Sequence, residues 1–210
     1  MKRKITLIIS IVCILAIGIS AAVYATRDMS MFQWGQDSAE IEAADNMQKN
    51  VVAEVNGQKI TSSQFDKYKA GLSNANGTFT DAEIMDKLVR QEVLKQEIQR
   101  LGYTATEAEV TAFNDERFAL LDDDPNARQI IQDYVDGLGI TMAEYKEQSK
   151  EISRTALLAN KFRADLMAEY EKNNPQILTY SVPTQQQGFE EYLEQYIDDL
   201  YKTADIVISE

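Results

Sequence analysis

Strand character appears in two short runs of this chain, and they lie at opposite ends of its polar part. Val51–Val55 is rich in β-branched residues and leads into Asn56-Gly57, the strongest two-residue signal for a tight turn; the other run is residues 204–208. A lone strand leaves its backbone groups unpaired, so the two runs are predicted to pair with each other. This pairing constrains the fold most, because it brings both ends together and makes everything between them a helical insertion.

Helix starts are marked by a Thr followed three residues later by Glu or Gln, which is the signature of a capping box. Four such pairs are interpreted as helix starts: Thr61/Gln64, Thr80/Glu83, Thr106/Glu109 and Thr141/Glu144. Asp124 before Pro125 predicts a further N-cap, residues 142–171 are expected to form the longest helix, and an aromatic helix follows from Phe189. The predicted fold is therefore mostly α, a multi-helix module closed by a two-stranded antiparallel pairing.

The N-terminus has the pattern of a membrane-targeting segment. Lys2, Arg3 and Lys4 precede residues 5–25, which carry no charge and approach the length of a membrane span. Residues 1–25 are interpreted as a signal anchor, or as a signal peptide cleaved after Ala25. The chain is thus expected in the cell membrane, single-pass with its C-terminal part extracytoplasmic, or secreted if it is cleaved.

Residues 26–50 combine Phe32 and Trp34 with an acidic run through Glu40 and Asp45. They could form an aromatic anchor at the membrane interface, a tail that binds other polypeptides, or a tether whose aromatic residues pack loosely. The tether is the favoured interpretation. The domain plan is then 1–25 for the membrane segment, 26–50 for the tether and 51–210 for the helical domain.

The composition excludes several classes of function. Histidine is absent and Cys13 is the sole cysteine, so Ser-His and Cys-His catalysis, zinc clusters and an intrachain disulfide are ruled out. A formal net charge of −13 would repel nucleic acid. No glycine-rich loop ends in Gly-Lys-Ser/Thr, and the aspartates before Pro125 lack the pattern of a calcium loop. We therefore expect no cofactor, no metal and no nucleic acid.

The order of these motifs resembles a known family. The strand, turn and capped helix are followed by Leu101-Gly102-Tyr103, by Gly139-Ile140-Thr141 with Glu144-Tyr145, and by an aromatic helix that runs into residues 204–208. Together they resemble the chaperone module of the SurA and PrsA foldases over residues 51–209. In that family a parvulin prolyl-isomerase domain usually interrupts the module before its last helix. Here only residues 172–188 occupy that position, too few for a domain.

The resemblance implies an extracytoplasmic, membrane-tethered, ATP-independent holdase without prolyl isomerase activity. Its expected partners are unfolded or exported polypeptides and the membrane, with a homodimer left open. Clients would bind in an apolar groove between helices, through side chains that accept varied segments. The candidate residues, each of which could equally be packed in the core, are Phe65, Tyr68, Leu72, Phe79, Tyr134, Tyr145, Phe162, Tyr192 and Tyr196.

Two other classes of function compete with the holdase. A membrane-anchored adaptor would use the same module to bind one specific folded partner. An enzyme would need paired carboxylates in contrasting environments, but Glu190 and Glu191 are adjacent and would point apart on a helix. We therefore expect no catalytic residues.

Overall fold

The structure, a computed structural model, describes residues 31–45, 50–73, 79–122 and 124–209. Within these ranges the elements are α1 (Met31–Asp45), β1 (Val51–Val55), β2 (Gln58–Thr61), α2 (Ser62–Ser73), α3 (Asp81–Arg100), α4 (Glu107–Asp122), α5 (Pro125–Leu138), α6 (Met142–Gln148), α7 (Lys150–Asn173), a 3-10 helix (Pro175–Thr179), α8 (Val182–Thr203) and β3 (Ile206–Ile208). The predicted mostly helical class with a small antiparallel sheet is confirmed.

The membrane segment predicted at residues 5–25 lies outside the described residues. In the ranges that are described, no helix is both long and apolar enough to cross a membrane.

The sheet joins residues 51–55 to the C-terminal end of the described chain, as predicted. β1 pairs antiparallel with β3, with Val55 opposite Ile206 and Ala53 opposite Ile208. The predicted two-stranded sheet is wrong in one respect, because the sheet has three strands in the order β2-β1-β3. The tight turn at Asn56-Gly57, where both residues have positive φ, returns the chain at once along β1. Ile60 on β2 then points into the core.

Local signals for helix starts are confirmed in the structure. Both hydrogen bonds of the capping box are present at Thr61, Thr80, Thr106 and Thr141. The side chain of Asp124 accepts hydrogen bonds from the backbone N–H groups of Asn126 and Ala127, with Pro125 in the first turn. Since a capping box involves only residues three apart, the sequence alone is enough to place it.

Two helix boundaries differ from the prediction. The single helix expected over residues 142–171 is divided at Ser149, whose hydroxyl donates to the carbonyl of Tyr145. Such a bond from a serine to the preceding turn is a known cause of helix bending. The last helix begins at Val182 instead of Phe189, because Pro183 lies in its first turn, where a missing N–H costs nothing. Residues 174–181 thus connect α7 to α8.

Three clusters of buried side chains hold the described elements together. The sheet core packs Val55 and Ile60 against α3. The central core lies between α3, α7 and α8, around Phe162 and Phe189. The distal core lies between α4, α5 and α6, around Val135 and Tyr145. α7 contacts α4 and α6 and contributes Ala159, Phe162 and Leu166 to the central core. α1 contributes no residue to any of the three clusters.

Candidate functional site

Four of the nine candidate residues lie near α2. Phe65 and Tyr68 are half-buried on this helix, and burial raises the pKa of the Tyr68 hydroxyl. Phe79 precedes α3 and is exposed, with the Lys87 ammonium 5.4 Å from its ring centroid. The side chain of Leu72 lies outside the part that the structure describes. Phe65, Tyr68 and Phe79 therefore all keep some surface that a client could contact.

Three further candidates lie in or against the central core. Phe162 is 4% exposed, and its ring contacts Tyr196 at 5.7 Å between centroids. Tyr192 packs on Tyr170 with ring centroids 5.0 Å apart. These rings join α7 to α8, so in this structure Phe162 is a core residue and has no surface for a client.

The last two candidates, Tyr134 and Tyr145, belong to a ladder of aromatic rings in the distal part of the molecule. Trp34 on α1 lies 4.8 Å from Tyr134 on α5, Tyr134 lies 5.9 Å from Tyr145 on α6, and Tyr145 lies 6.0 Å from Phe118 on α4, all between ring centroids. Tyr145 is buried, and this burial raises the pKa of its hydroxyl. Tyr134, by contrast, lies at the edge of the distal core.

Helix α5 is apolar on two sides. Ile131, Val135 and Leu138 face the distal core. Ile130, Tyr134 and Gly137 follow each other at spacings of four and three residues, which places them together on another face of the helix. A helix with two apolar faces needs a neighbour on each of them. The second neighbour of α5 is α1.

The crossing of α1 over α5 is unusually close and depends on two glycines. A Cβ at Gly35 would collide with the backbone carbonyl of Tyr134 and would lie 2.8 Å from the Cα of Gly137. A Cβ at Gly137 would collide with the carbonyl of Phe32. Glycine inside a helix lowers its stability by about 1 kcal/mol relative to alanine. Here the two glycines permit backbone contact between the helices.

α1 also contacts α2, so it spans from the distal part of the molecule to the part that contains the sheet. Little in residues 26–50 predicts this position, and their sequence alone favours a tether. One feature of the sequence does indicate close packing. Gly35 and Gly137 are glycines inside helical segments, where glycine often allows another element to approach closely. We call the face of α5 under α1 the α5 seat. Tyr134 and Gly137 contact α1 there, and Ile130 lies one turn earlier on the same face.

A second apolar surface lies at the connection between α7 and α8. Leu178, Tyr180 and Val182 are all at least half exposed, although they are close together in sequence. Contiguous exposed apolar side chains of this kind often mark an interaction surface.

A polar cluster joins the turn between β1 and β2 to α3 and β3. The Asn56 side chain donates to Gln96 at 2.9 Å and accepts from the N–H of Asp205 at 2.8 Å. The Gln96 amide donates to the carbonyl of Val55 at 3.0 Å. Open clefts of about 370 Å³ lie on both sides of Gln96. Since these amides already bond to each other and to the backbone, the cluster serves to close the sheet.

Comparison with known proteins identifies the family. No curated protein and no solved structure matches the chain in the corresponding searches. The sequence model described as the SurA-like N-terminal domain matches residues 2–119, more than half of the chain. The matched region contains the hairpin, α2, α3 and the aromatic residues of α1, and it supports the resemblance drawn from the motifs. The chain therefore belongs to the family of proteins with a SurA-like N-terminal domain.

Proposed function

We propose that this protein is an ATP-independent chaperone that holds non-native polypeptides outside the cytoplasm and does not isomerise prolyl bonds. The observation that carries the proposal is the family match over residues 2–119, since a SurA-like N-terminal domain is a chaperone-type module. The proposal extends this coarse assignment to a holding activity and to a place in the cell.

The connection between α7 and α8 supports a module without a catalytic insertion. It consists of residues 174–181, most of which form one short 3-10 helix. A folded domain needs at least about 50 residues, so none is inserted at this point. A prolyl-isomerase assay on a proline-containing tetrapeptide tests this part of the proposal, and turnover above that of a heat-inactivated sample would overturn it.

The surface supports the binding of unfolded chains. Leu178, Tyr180 and Val182 expose apolar side chains where α7 connects to α8, and Trp34 and Tyr134 are half-buried aromatic residues that contact each other between α1 and α5. A net charge of −13 would keep a complex with an aggregation-prone client in solution. Apolar contact patches on a strongly charged protein are the combination that a holdase requires.

Aggregation suppression is the test of the holding activity. The full chain, reconstituted in phospholipid nanodiscs, is mixed at equimolar ratio with several unrelated proteins that are diluted from denaturant, and light scattering is followed with empty nanodiscs as the control. We expect reduced scattering for each client without added nucleotide. Failure with all clients, together with capture of one folded partner, would replace the holdase by a membrane-anchored adaptor.

We further propose that residues 5–25 anchor the chain in the cell membrane with the helical domain on the extracytoplasmic side. The support is the cluster Lys2, Arg3 and Lys4 before an uncharged stretch, because such clusters stay in the cytoplasm. Alkaline phosphatase, which is active only after export, is fused behind Glu210 through a flexible linker. Activity at the cell envelope is expected, and an inactive fusion of full length would contradict the proposed topology.

A further inference from the structure

The α5 seat differs from the rest of the apolar surface because another part of the same chain already covers it. We propose that the α5 seat is a binding surface for amphipathic helical segments of client polypeptides. In this structure α1 occupies the seat, and a client segment displaces it. This inference rests on the proposed chaperone function and specifies which client segments the protein selects.

The geometry of the crossing defines what the seat accepts. Any Cβ at Gly35 would collide with the Tyr134 carbonyl, so a helix bound in this position needs glycine where α1 has Gly35. Trp34, the preceding residue, lies 4.8 Å from the Tyr134 ring, which favours an aromatic residue beside that glycine. The preferred client is therefore a short amphipathic helix with an aromatic residue directly before a glycine.

The packing of α1 explains why it could be exchanged. The three buried clusters of the described structure are complete without any α1 residue. Among the described side chains of α1 only Met31 and Gly35 are buried, and Phe32 is 45% exposed. Loss of α1 would thus uncover α5 and Met31 without opening any of the three clusters.

Displacement of α1 would uncover more than the α5 seat. α1 also contacts α2, the helix that carries Phe65 and Tyr68. A client helix that replaces α1 would therefore contact Tyr134 on α5 and also lie against α2. The chain keeps the displaced α1 near its seat because α1 is joined to β1 through residues 46–50.

Trp34 is the sole tryptophan of the protein, so its fluorescence reports directly on the docking of α1. The probe is a fluorescein-labelled peptide with the sequence of residues 31–45, in which Trp34 is replaced by phenylalanine. With the full chain in nanodiscs, peptide anisotropy measures binding, and Trp34 emission and acrylamide quenching measure displacement. We expect saturating peptide to shift Trp34 emission to the red and to increase its quenching.

Two glycine variants distinguish an effect on α1 from an effect on the α5 seat. Gly35→Ala removes α1 from an intact seat, so we expect peptide binding about tenfold tighter, as competition by a resident segment requires. Gly137→Ala blocks the seat itself, so Trp34 should again become accessible while peptide binding is lost. Gln36→Ala, at an exposed position of α1, is the control and should behave as the wild type. Circular dichroism and urea unfolding confirm that each variant is folded.

Equal peptide affinities for the Gly35→Ala and Gly137→Ala variants, or Trp34 emission unchanged at saturating peptide, would overturn the inference. A peptide with alanine in place of its glycine should not bind, and equally tight binding of that peptide would also contradict the proposed selectivity. If the peptide results contradict the inference but the protein still suppresses aggregation, the proposed chaperone function stands. If the peptide binds but aggregation is not suppressed, the proposed holding activity is wrong.

Discussion

The hydroxyl of Tyr196 on α8 donates a 2.8 Å hydrogen bond to a carboxylate oxygen of Glu97 on α3. Glu97 is only 6% exposed and also accepts two hydrogen bonds from the guanidinium of Arg100, at 2.6 and 2.7 Å. Burial and this bond together raise the pKa of Tyr196 to about 12. The contact fixes α8 against α3 just before the chain turns into β3, so it helps to close the fold.

Removal of the Tyr196 hydroxyl should weaken this closure. We expect Tyr196→Phe to lower the free energy of unfolding by about 1–3 kcal/mol, because the buried Glu97 carboxylate loses a partner. Tyr192→Phe is the matched control, since its ring packs on Tyr170 and no described residue bonds its hydroxyl. Urea unfolding measures both, and equal effects of the two variants would contradict a specific role of the Tyr196–Glu97 bond.

The same carboxylate predicts a pH dependence. Hydrogen bonds from Arg100, followed by the bond from Tyr196, lower the pKa of Glu97 below its ordinary value of 4.5. A group whose pKa is lower in the folded state stabilises the protein above its unfolded pKa, and this stabilisation is lost as the pH falls through the folded pKa. Glu97→Gln should therefore destabilise the protein more at pH 7 than at pH 3. A difference between wild type and variant that does not change with pH would contradict this assignment.

Asn56 combines a left-handed backbone with side-chain bonds that join the chain ends. Its φ is 50°, and its side chain bonds to Gln96 and to the backbone of Asp205. We expect Asn56→Gly to cost about 1–2 kcal/mol of stability through the lost hydrogen bonds. Asn56→Ala should cost about 1 kcal/mol more, because alanine is strained at positive φ. Thermal unfolding of both variants tests this, and an alanine variant as stable as the glycine variant would exclude the backbone contribution.

The two faces of β3 should respond differently to charge. Ile206 packs against the sheet core, whereas Val207 is 57% exposed. Ile206→Asp should lower the free energy of unfolding by about 2 kcal/mol or more, since it removes apolar burial and places a carboxylate beside the core. Val207→Asp should change it by less than about 0.5 kcal/mol. Chemical unfolding measures both, and the opposite ranking would show that the register of β3 on β1 is different.

Two buried serines on either side of the start of α7 provide another matched pair. Ser153 donates to the side chain of Asn114 at 2.7 Å and accepts from Arg117 at 2.6 Å, which ties α7 to α4. The hydroxyl of Ser149 instead bonds within its own turn, where it donates to the carbonyl of Tyr145. We expect Ser153→Ala to cost about 1–3 kcal/mol, because a buried Asn114 oxygen loses its donor. Ser149→Ala should cost clearly less, and similar costs in urea unfolding would refute the proposed tie.

Much of the local structure could be predicted from sequence because its causes are local. The capping boxes at Thr80 and Thr141 need only a hydroxyl and a carboxylate three residues apart, and Asn56-Gly57 has residues that tolerate positive φ. The pairing of β1 with β3 was predictable because few runs of the sequence have strand character. β2 was missed, since its short polar sequence shows no alternation and only the turn determines its path.

The candidate site could be predicted only in part. Tyr134 and Phe162 are both aromatic residues at helical spacing, and nothing local distinguishes the one at the edge of the distal core from the one inside the central core. The docking of α1 was not predicted, because Gly35 and Gly137 have meaning only once the two helices cross. Small residues give no hydrophobic signal along the chain.

The sequence by itself determined where helices begin, where the chain turns, which runs pair at its ends and which classes of chemistry its lack of histidine excludes, because each of these depends on near neighbours or on composition. The tertiary structure alone decided which aromatic residues are covered and that α1 lies on the α5 seat. Burial and backbone approach depend on what packs opposite a residue, and in this protein the facing residues, such as Gly35 and Gly137, are about a hundred positions apart in the chain.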